Sequence, residues 1–115
     1  MGQNTPSIKV NAVRDRGAKV VLHGDNYDEA SQHAKALCEA QSLVYIPPYD
    51  DVDVIAGQGT IGMEIVNQHS QPLDAIFVPV GGGGLIAGVA AYVKYLHPST
   101  KIIRDEGRTS GKAAY

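Results

Sequence analysis

Apolar and polar positions along the chain follow two alternating periods. Residues 8–16 carry a short helical pattern after Pro6, and Gly17 is placed to stop it because a positive φ costs glycine little. Residues 18–22 (AKVVL) form a β-branched run ending at His23-Gly24, which predicts a buried strand. Asp25 or Asn26 can cap the helix that follows, in which Ala30, Ala34, Leu37 and Cys38 fall on one face. Residues 43–46 (LVYI) predict a second strand, closed by Pro47-Pro48 because proline cannot donate to a ladder.

The acidic stretch Asp50, Asp51 and Asp53 can cap a helix over residues 52–68. Gly57, Gly59 and Gly62 inside it each cost roughly 0.5–1 kcal/mol relative to alanine, so a neighbour is expected to approach them closely. A third strand over 74–80, a helix running to Leu96 and a fourth strand over 101–103 complete a β-α-β-α-β-α-β order. Such alternation predicts an α/β fold, a parallel β-sheet with helical crossovers that holds ligands at the C-terminal strand ends.

At one such end stand Gly81, Gly82, Gly83 and Gly84, followed by Leu85 and an apolar-periodic stretch. A strand, a loop without side chains and a helix start leave backbone N–H groups and a positive helix end free for an anion. A tight turn rarely requires more than two glycines, and each one ordered forfeits chain entropy. The pattern therefore points to a phosphate. Residues 82–87 also fit G-x-G-x-x-A, with Asp105 or Glu106 about 20 residues on, which keeps a Rossmann-like nucleotide module as an alternative. Against it, that fingerprint usually opens the first βαβ unit, whereas two strands and two helices precede this one. The P-loop pattern fails because no Gly-Lys-Ser/Thr follows the glycines.

Composition narrows the field. The 115 residues carry a net charge of -2 with no basic cluster and few aromatics, which argues against nucleic acid as a partner. A single cysteine, Cys38, cannot form an internal disulfide, and neither a signal peptide nor a membrane-length apolar run is evident, so a cytoplasmic setting is expected. His23, His33, His69 and His97 lack metal-ligand spacing, and Asp50, Asp51 and Asp53 lack the alternating oxygens of a calcium loop, so no metal site is expected. Cys38 reads as a small core residue, and Tyr92 and Tyr95 as surface or interface residues.

Four ordered segments carry a resemblance: Asn4-Thr5-Pro6 through Ala18, the stretch from Tyr45 to Asp51, Ile55 to Thr60, and Val78 to Leu85. Together they resemble the biosynthetic threonine dehydratase (threonine ammonia-lyase) family, fold-type-II pyridoxal-phosphate enzymes related to serine racemase and serine dehydratase. The resemblance spans residues 4–103. It implies a partial fold of the tryptophan synthase β-like kind, and a pyridoxal 5'-phosphate cofactor whose phosphate is gripped by Gly81, Gly82, Gly83 and Gly84 with Leu85 opening the helix behind. It implies deamination of L-threonine to 2-oxobutanoate and ammonia in isoleucine biosynthesis, a small amino-acid substrate, and room for a homo-oligomer. Residues 1–46 would be the second part of the small cofactor domain and 47–103 the first part of the large domain.

The chain also departs from that family. Members carry the cofactor-bearing lysine in a Ser-Phe-Lys-like motif well upstream of the glycines, an asparagine motif near the ring, and a serine or cysteine downstream. None has a counterpart here. Ser7-Ile8-Lys9 echoes the first, but its flanks match a later family segment, so Lys9 reads as a surface helix lysine. No residue of the chain is assigned a catalytic role, and an internal fragment, inactive alone, is expected. Residues 104–115 diverge from the family and are expected to be poorly ordered. Two other classes stay open: a small phosphate- or nucleotide-binding module, and an unfolded or oligomerising gene remnant with uncovered strand edges and helix faces.

Overall fold

Proline at the entrance to a helix costs nothing, because the first-turn N–H it lacks would go unpaired. Pro6 stands there before α1 (Ser7–Arg14), which ends one turn ahead of Gly17 at φ +82°. The computed structural model describes residues 1–105. Helix α2 (Tyr27–Gln41) takes Asn26, not Asp25, as its cap. The Glu29 amide donates to Asn26 Oδ1 at 3.0 Å, while Glu29 reaches back to accept from Asn26 Nδ2 at 2.9 Å and from the Asp25 amide at 2.8 Å. Such reciprocal capping satisfies orphan donors at both positions. Ser42, left-handed at φ 52°, closes the helix.

The chain falls into two compact units, Met1–Tyr45 and a second that begins at Ile46. In the first, the strands expected over 18–22 and 43–46 do not form: the described residues contain a sheet of two strands, and neither lies here. A β-branched run makes a chain extended, but a strand also needs a neighbouring backbone. Residues 21–24 find only the N-terminal residues: Met1 N donates to Val21 O at 2.8 Å, His23 N to Met1 O at 2.9 Å and Gln3 N to Gly24 O at 2.8 Å. Leu43 N turns back to Cys38 O, and Val44 and Ile46 are left 84% and 72% exposed.

The second unit runs α3 (Val52–Gln68), β1 (Ala75–Pro79), α4 (Gly84–Leu96) and β2 (Lys101–Asp105). Strands β1 and β2 pair in parallel from Ala75↔Lys101 to Pro79↔Asp105, joined by α4 as a βαβ unit. Strand β2 thus runs through Arg104 and Asp105, two residues past its expected end, and the remainder of the divergent tail lies outside the described residues. Val78, Val89 and Val93 form the core, with Val66, Ile76, Leu85, Ile86 and Ile102 packed on it. Period-two alternation puts Ile76 and Val78 on that face and leaves Phe77 67% exposed on the other. Thr100, 1% exposed, anchors the turn into β2 by donating Oγ1–H to Leu73 O at 2.8 Å.

The glycines of α3 explain how its backbone meets α4. A Cβ on Gly59 would stand 3.1 Å from Gly88 O, and one on Gly62 would stand 3.2 Å from Val93 Cγ2 and 3.3 Å from the Val89 main chain. On the facing side, a Cβ on Gly88 would run into Ile55 O and come within 2.6 Å of Gly59 N. Contacts ascending along α3 meet positions ascending along α4, so the two helices run in the same direction. Gly57 departs from expectation, since nothing lies within 4 Å of its missing Cβ.

Candidate functional site

Strand β1 ends at Pro79, Val80 N reaches Asp105 O at 3.4 Å on the neighbouring strand, and the chain then turns through Gly81, Gly82 and Gly83 into α4. The turn depends on Gly83, the N-cap, at φ 92° and ψ −14°, a left-handed conformation costly for any residue with a Cβ. Its carbonyl accepts the first helical bond, from Ala87 N at 3.0 Å. Gly83 supplies no side-chain cap. Among the described residues, the amides of Gly81, Gly82, Gly83, Gly84, Leu85 and Ile86 have no hydrogen-bond partner. They are the loop and first-turn donors that a helix N-terminus leaves for a side chain, water or ligand.

The neighbouring helix end differs. Asp51 Oδ1 accepts from Asp53 N at 2.9 Å and Val54 N at 3.1 Å, so α3 opens on a carboxylate of its own. Since α3 and α4 run in the same direction, both direct their N-terminal dipoles toward one end, but only that of α4 is unanswered by a side chain. Each aligned helix presents about half a positive charge there. A negative charge is the complement of such a helix end.

The loop is open on one side and covered on another. Gly81 and Gly82 are exposed, Gly83 half-buried and Gly84 buried. Nothing lies within 4 Å of a Cβ built on Gly81 or Gly83. At Gly82 a Cβ would fall on the Tyr49 ring, 2.7 Å from Cε1, and at Gly84 it would stand 2.9 Å from Tyr49 O and 3.1 Å from its Cα. Sequence reasoning placed all five residues of the Gly81–Leu85 stretch together but missed Tyr49. The available signal was its place between Pro47-Pro48 and the Asp51 cap, where a rigid turn aims one aromatic side chain.

The other polar candidates each have surroundings of their own. His23 and His33 stack on each other within the first unit, centroids 3.9 Å apart and planes 14° off parallel. His69 Nδ1 pairs with Gln71 O at 2.6 Å, and Cys38 is half-buried. No three His, Cys, Asp or Glu side chains converge as a metal-ligand set among the described residues. Lys9 is exposed on α1 in the first unit, whereas the glycine loop belongs to the second. No described helix is long and apolar enough to cross a membrane.

Residues 1–109 match the family described as pyridoxal-phosphate dependent enzyme. The biosynthetic, chloroplastic threonine dehydratase of Arabidopsis thaliana is 62% identical over 106 residues, covering 92% of this chain and 18% of that protein. The solved processed form of threonine deaminase isoform 2 from Solanum lycopersicum superposes with a TM-score of 0.82 at 56% identity, over 90% of this chain and 30% of that one. A pyridoxal 5'-phosphate-dependent aspartate racemase gives a TM-score of 0.84 at 35% identity over the same share of this chain, 90%. The chain therefore spans about a fifth of the length of the threonine dehydratase relative, and it shares a partial fold-type-II architecture with its structural neighbours. The dinucleotide alternative receives no support from these matches. With nearly its whole length matched, the chain belongs to the pyridoxal-phosphate dependent enzyme family.

Proposed function

We propose that the second unit of this chain grips the phosphate of pyridoxal 5'-phosphate through the amides of Gly81, Gly82, Gly83 and Gly84, with Leu85 and the start of α4 behind them. The observation that carries this reading is the row of unpartnered amides at an uncapped helix end, beside a helix whose own end is capped. The donors fit the group. A phosphate brings several acceptor oxygens and close to two negative charges, and Gly81 and Gly83 leave open space where side chains would stand.

The reaction we propose for the protein of which this sequence is a part is that of a threonine ammonia-lyase, converting L-threonine to 2-oxobutanoate and ammonia. When bound, pyridoxal phosphate supplies an electron sink for the α-carbon of an amino acid. This chain's share is to hold the handle of that group: the main-chain amides fix the phosphate, and the dipole of α4 favours its negative charge. In this assignment residues 1–46 are part of the small cofactor domain and 47–103 begin the large one. An amino acid is the small-molecule partner, a homo-oligomer the assembly, and a reducing compartment such as the cytoplasm suits the lone Cys38.

Equilibrium dialysis of the 115-residue chain against pyridoxal phosphate, with inorganic phosphate as competitor, tests the grip. Saturable binding that phosphate displaces, and that Gly83→Ala weakens by about tenfold or more through strain at its positive φ, is the expected result. Binding that phosphate does not displace would sink the proposal. So would binding equally strong in the Gly83→Ala chain.

A further inference from the structure

We propose that Tyr49 is a positioning residue for the glycine loop, its ring laid on Gly82 and its main chain on Gly84, so that the amides of Gly81 to Gly84 are pre-set before a phosphate arrives. This inference rests on the phosphate-loop reading above. Its basis is the distribution of contacts around the four glycines. A Cβ built on Gly81 or Gly83 would touch nothing within 4 Å, so nothing packs against those two residues on the side where a side chain would stand. At Gly82 and Gly84 every nearest atom belongs to Tyr49: ring carbons at the first, O, Cα and Cβ at the second. Glycine is the residue with most freedom to lose on ordering, and a run of four with no side-chain cap at its helix end has little else to hold it.

Tyr49 is itself held from both sides. Pro47 and Pro48 fix φ just before it, and Asp51 two residues later is locked by its bonds to the Asp53 and Val54 amides. The ring is not a core residue, being 40% exposed, so burial alone does not account for its place against the loop. Gly82 is the counterpart of that placement, because any Cβ there would occupy the ring's volume. An aromatic ring and a bare backbone thus form one surface at the mouth of α4. Preorganisation of this kind strengthens binding by removing the ordering cost from the binding step.

The test uses the full chain and the variants Tyr49→Phe, Tyr49→Ala and Gly82→Ala. Two readouts are taken: backbone ¹⁵N order parameters of Gly81 to Gly84 without ligand, and affinity for inorganic phosphate from amide shift titration. The expected result is rigid amides, about 0.85, in the parent and in Tyr49→Phe, falling below about 0.6 in Tyr49→Ala. Phosphate affinity should fall about tenfold in Tyr49→Ala, equivalent to about 1.4 kcal/mol, and stay within about twofold in Tyr49→Phe. Should Tyr49→Ala not fold, Gly82→Ala displaces the ring from the opposite side and is expected to show the same two losses.

Order parameters unchanged in Tyr49→Ala, or in Gly82→Ala where that variant substitutes for it, would overturn the inference whether or not phosphate binds. Tyr49→Phe behaving like Tyr49→Ala would overturn it as well, by assigning the effect to the phenol hydroxyl. A parent chain that does not bind phosphate, yet whose loop loosens on removal of the ring, would sink the phosphate-loop reading and leave the positioning role of Tyr49 standing.

Discussion

Replacing Gly88 with alanine tests the contact that sets the spacing of α3 and α4. The new methyl would run into Ile55 O, and it would stand 2.6 Å from Gly59 N and 3.0 Å from Gln58 C. All three are main-chain atoms of the facing helix, so no side-chain rotation relieves the clash and the helices must part. Overpacking of a filled interface costs about 1–3 kcal/mol, and a backbone obstacle belongs at the upper end. Alanine in place of glycine within a helix returns about 0.5–1 kcal/mol. The net expectation is a loss of about 2 kcal/mol, seen as a lower urea midpoint with unchanged slope by far-UV circular dichroism. Gly57→Ala is the matched control, since it makes the same helix-propensity gain where nothing lies within 4 Å, and it is expected to raise the midpoint by the equivalent of about 0.5–1 kcal/mol. A Gly88→Ala chain as stable as the parent would refute the close-approach argument. A Gly57→Ala chain destabilised by as much as Gly88→Ala would do so too.

Thr100→Val leaves the Leu73 carbonyl without its 2.8 Å donor at a site only 1% exposed, and a loss of about 1–3 kcal/mol in urea unfolding is expected; an unchanged midpoint would show that the hydroxyl is dispensable. Asn26→Ala removes the acceptor for the Glu29 amide and is expected to cost about 0.5–2 kcal/mol of α2 stability, read as faster amide exchange in the first turn of that helix and no change in α4. The chain supplied with pyridoxal phosphate and threonine is expected to release no 2-oxobutanoate above the free-cofactor blank, because the flanks of Ser7-Ile8-Lys9, its one echo of a Ser-Phe-Lys motif, match a different family segment; release above that blank would overturn the reading of Lys9 as a surface lysine.

Helices were the legible part of this fold, and the reason is local. Pro6, Asn26 and Asp51 act on donors within three residues of themselves, and Gly17 needs no distant partner to end a helix. The extent of α3 therefore matched its residues, and α1 and α4 differed by one or two positions from expectation. Strands divided by whether a partner was present. Residues 75–79 and 101–105 pair because α4 returns the chain alongside, whereas 18–22 and 43–46 are also rich in β-branched and aliphatic residues but have no ladder within the described residues. Propensity is a property of a segment and a sheet is a property of a pair. The site divided in the same way. Gly81 to Leu85 stand out as a string of residues, while Tyr49, more than thirty positions earlier, enters only through a three-dimensional contact with Gly82 that no spacing rule encodes.

The crossing of α3 and α4 at Gly59, Gly62 and Gly88 has a consequence for how such a chain can change over time. At Gly59 and Gly88 main chain meets main chain, so the distance between the helices at that point is set by the two backbones and not by the aliphatic residues around them. Val66, Ile86 or Ile102 can drift among aliphatic residues and repack without moving the mouth of α4. The positions that cannot drift are those with no side chain at all. Variation among homologous chains should therefore gather in the valine and isoleucine layer, with the three crossing glycines the last to be replaced.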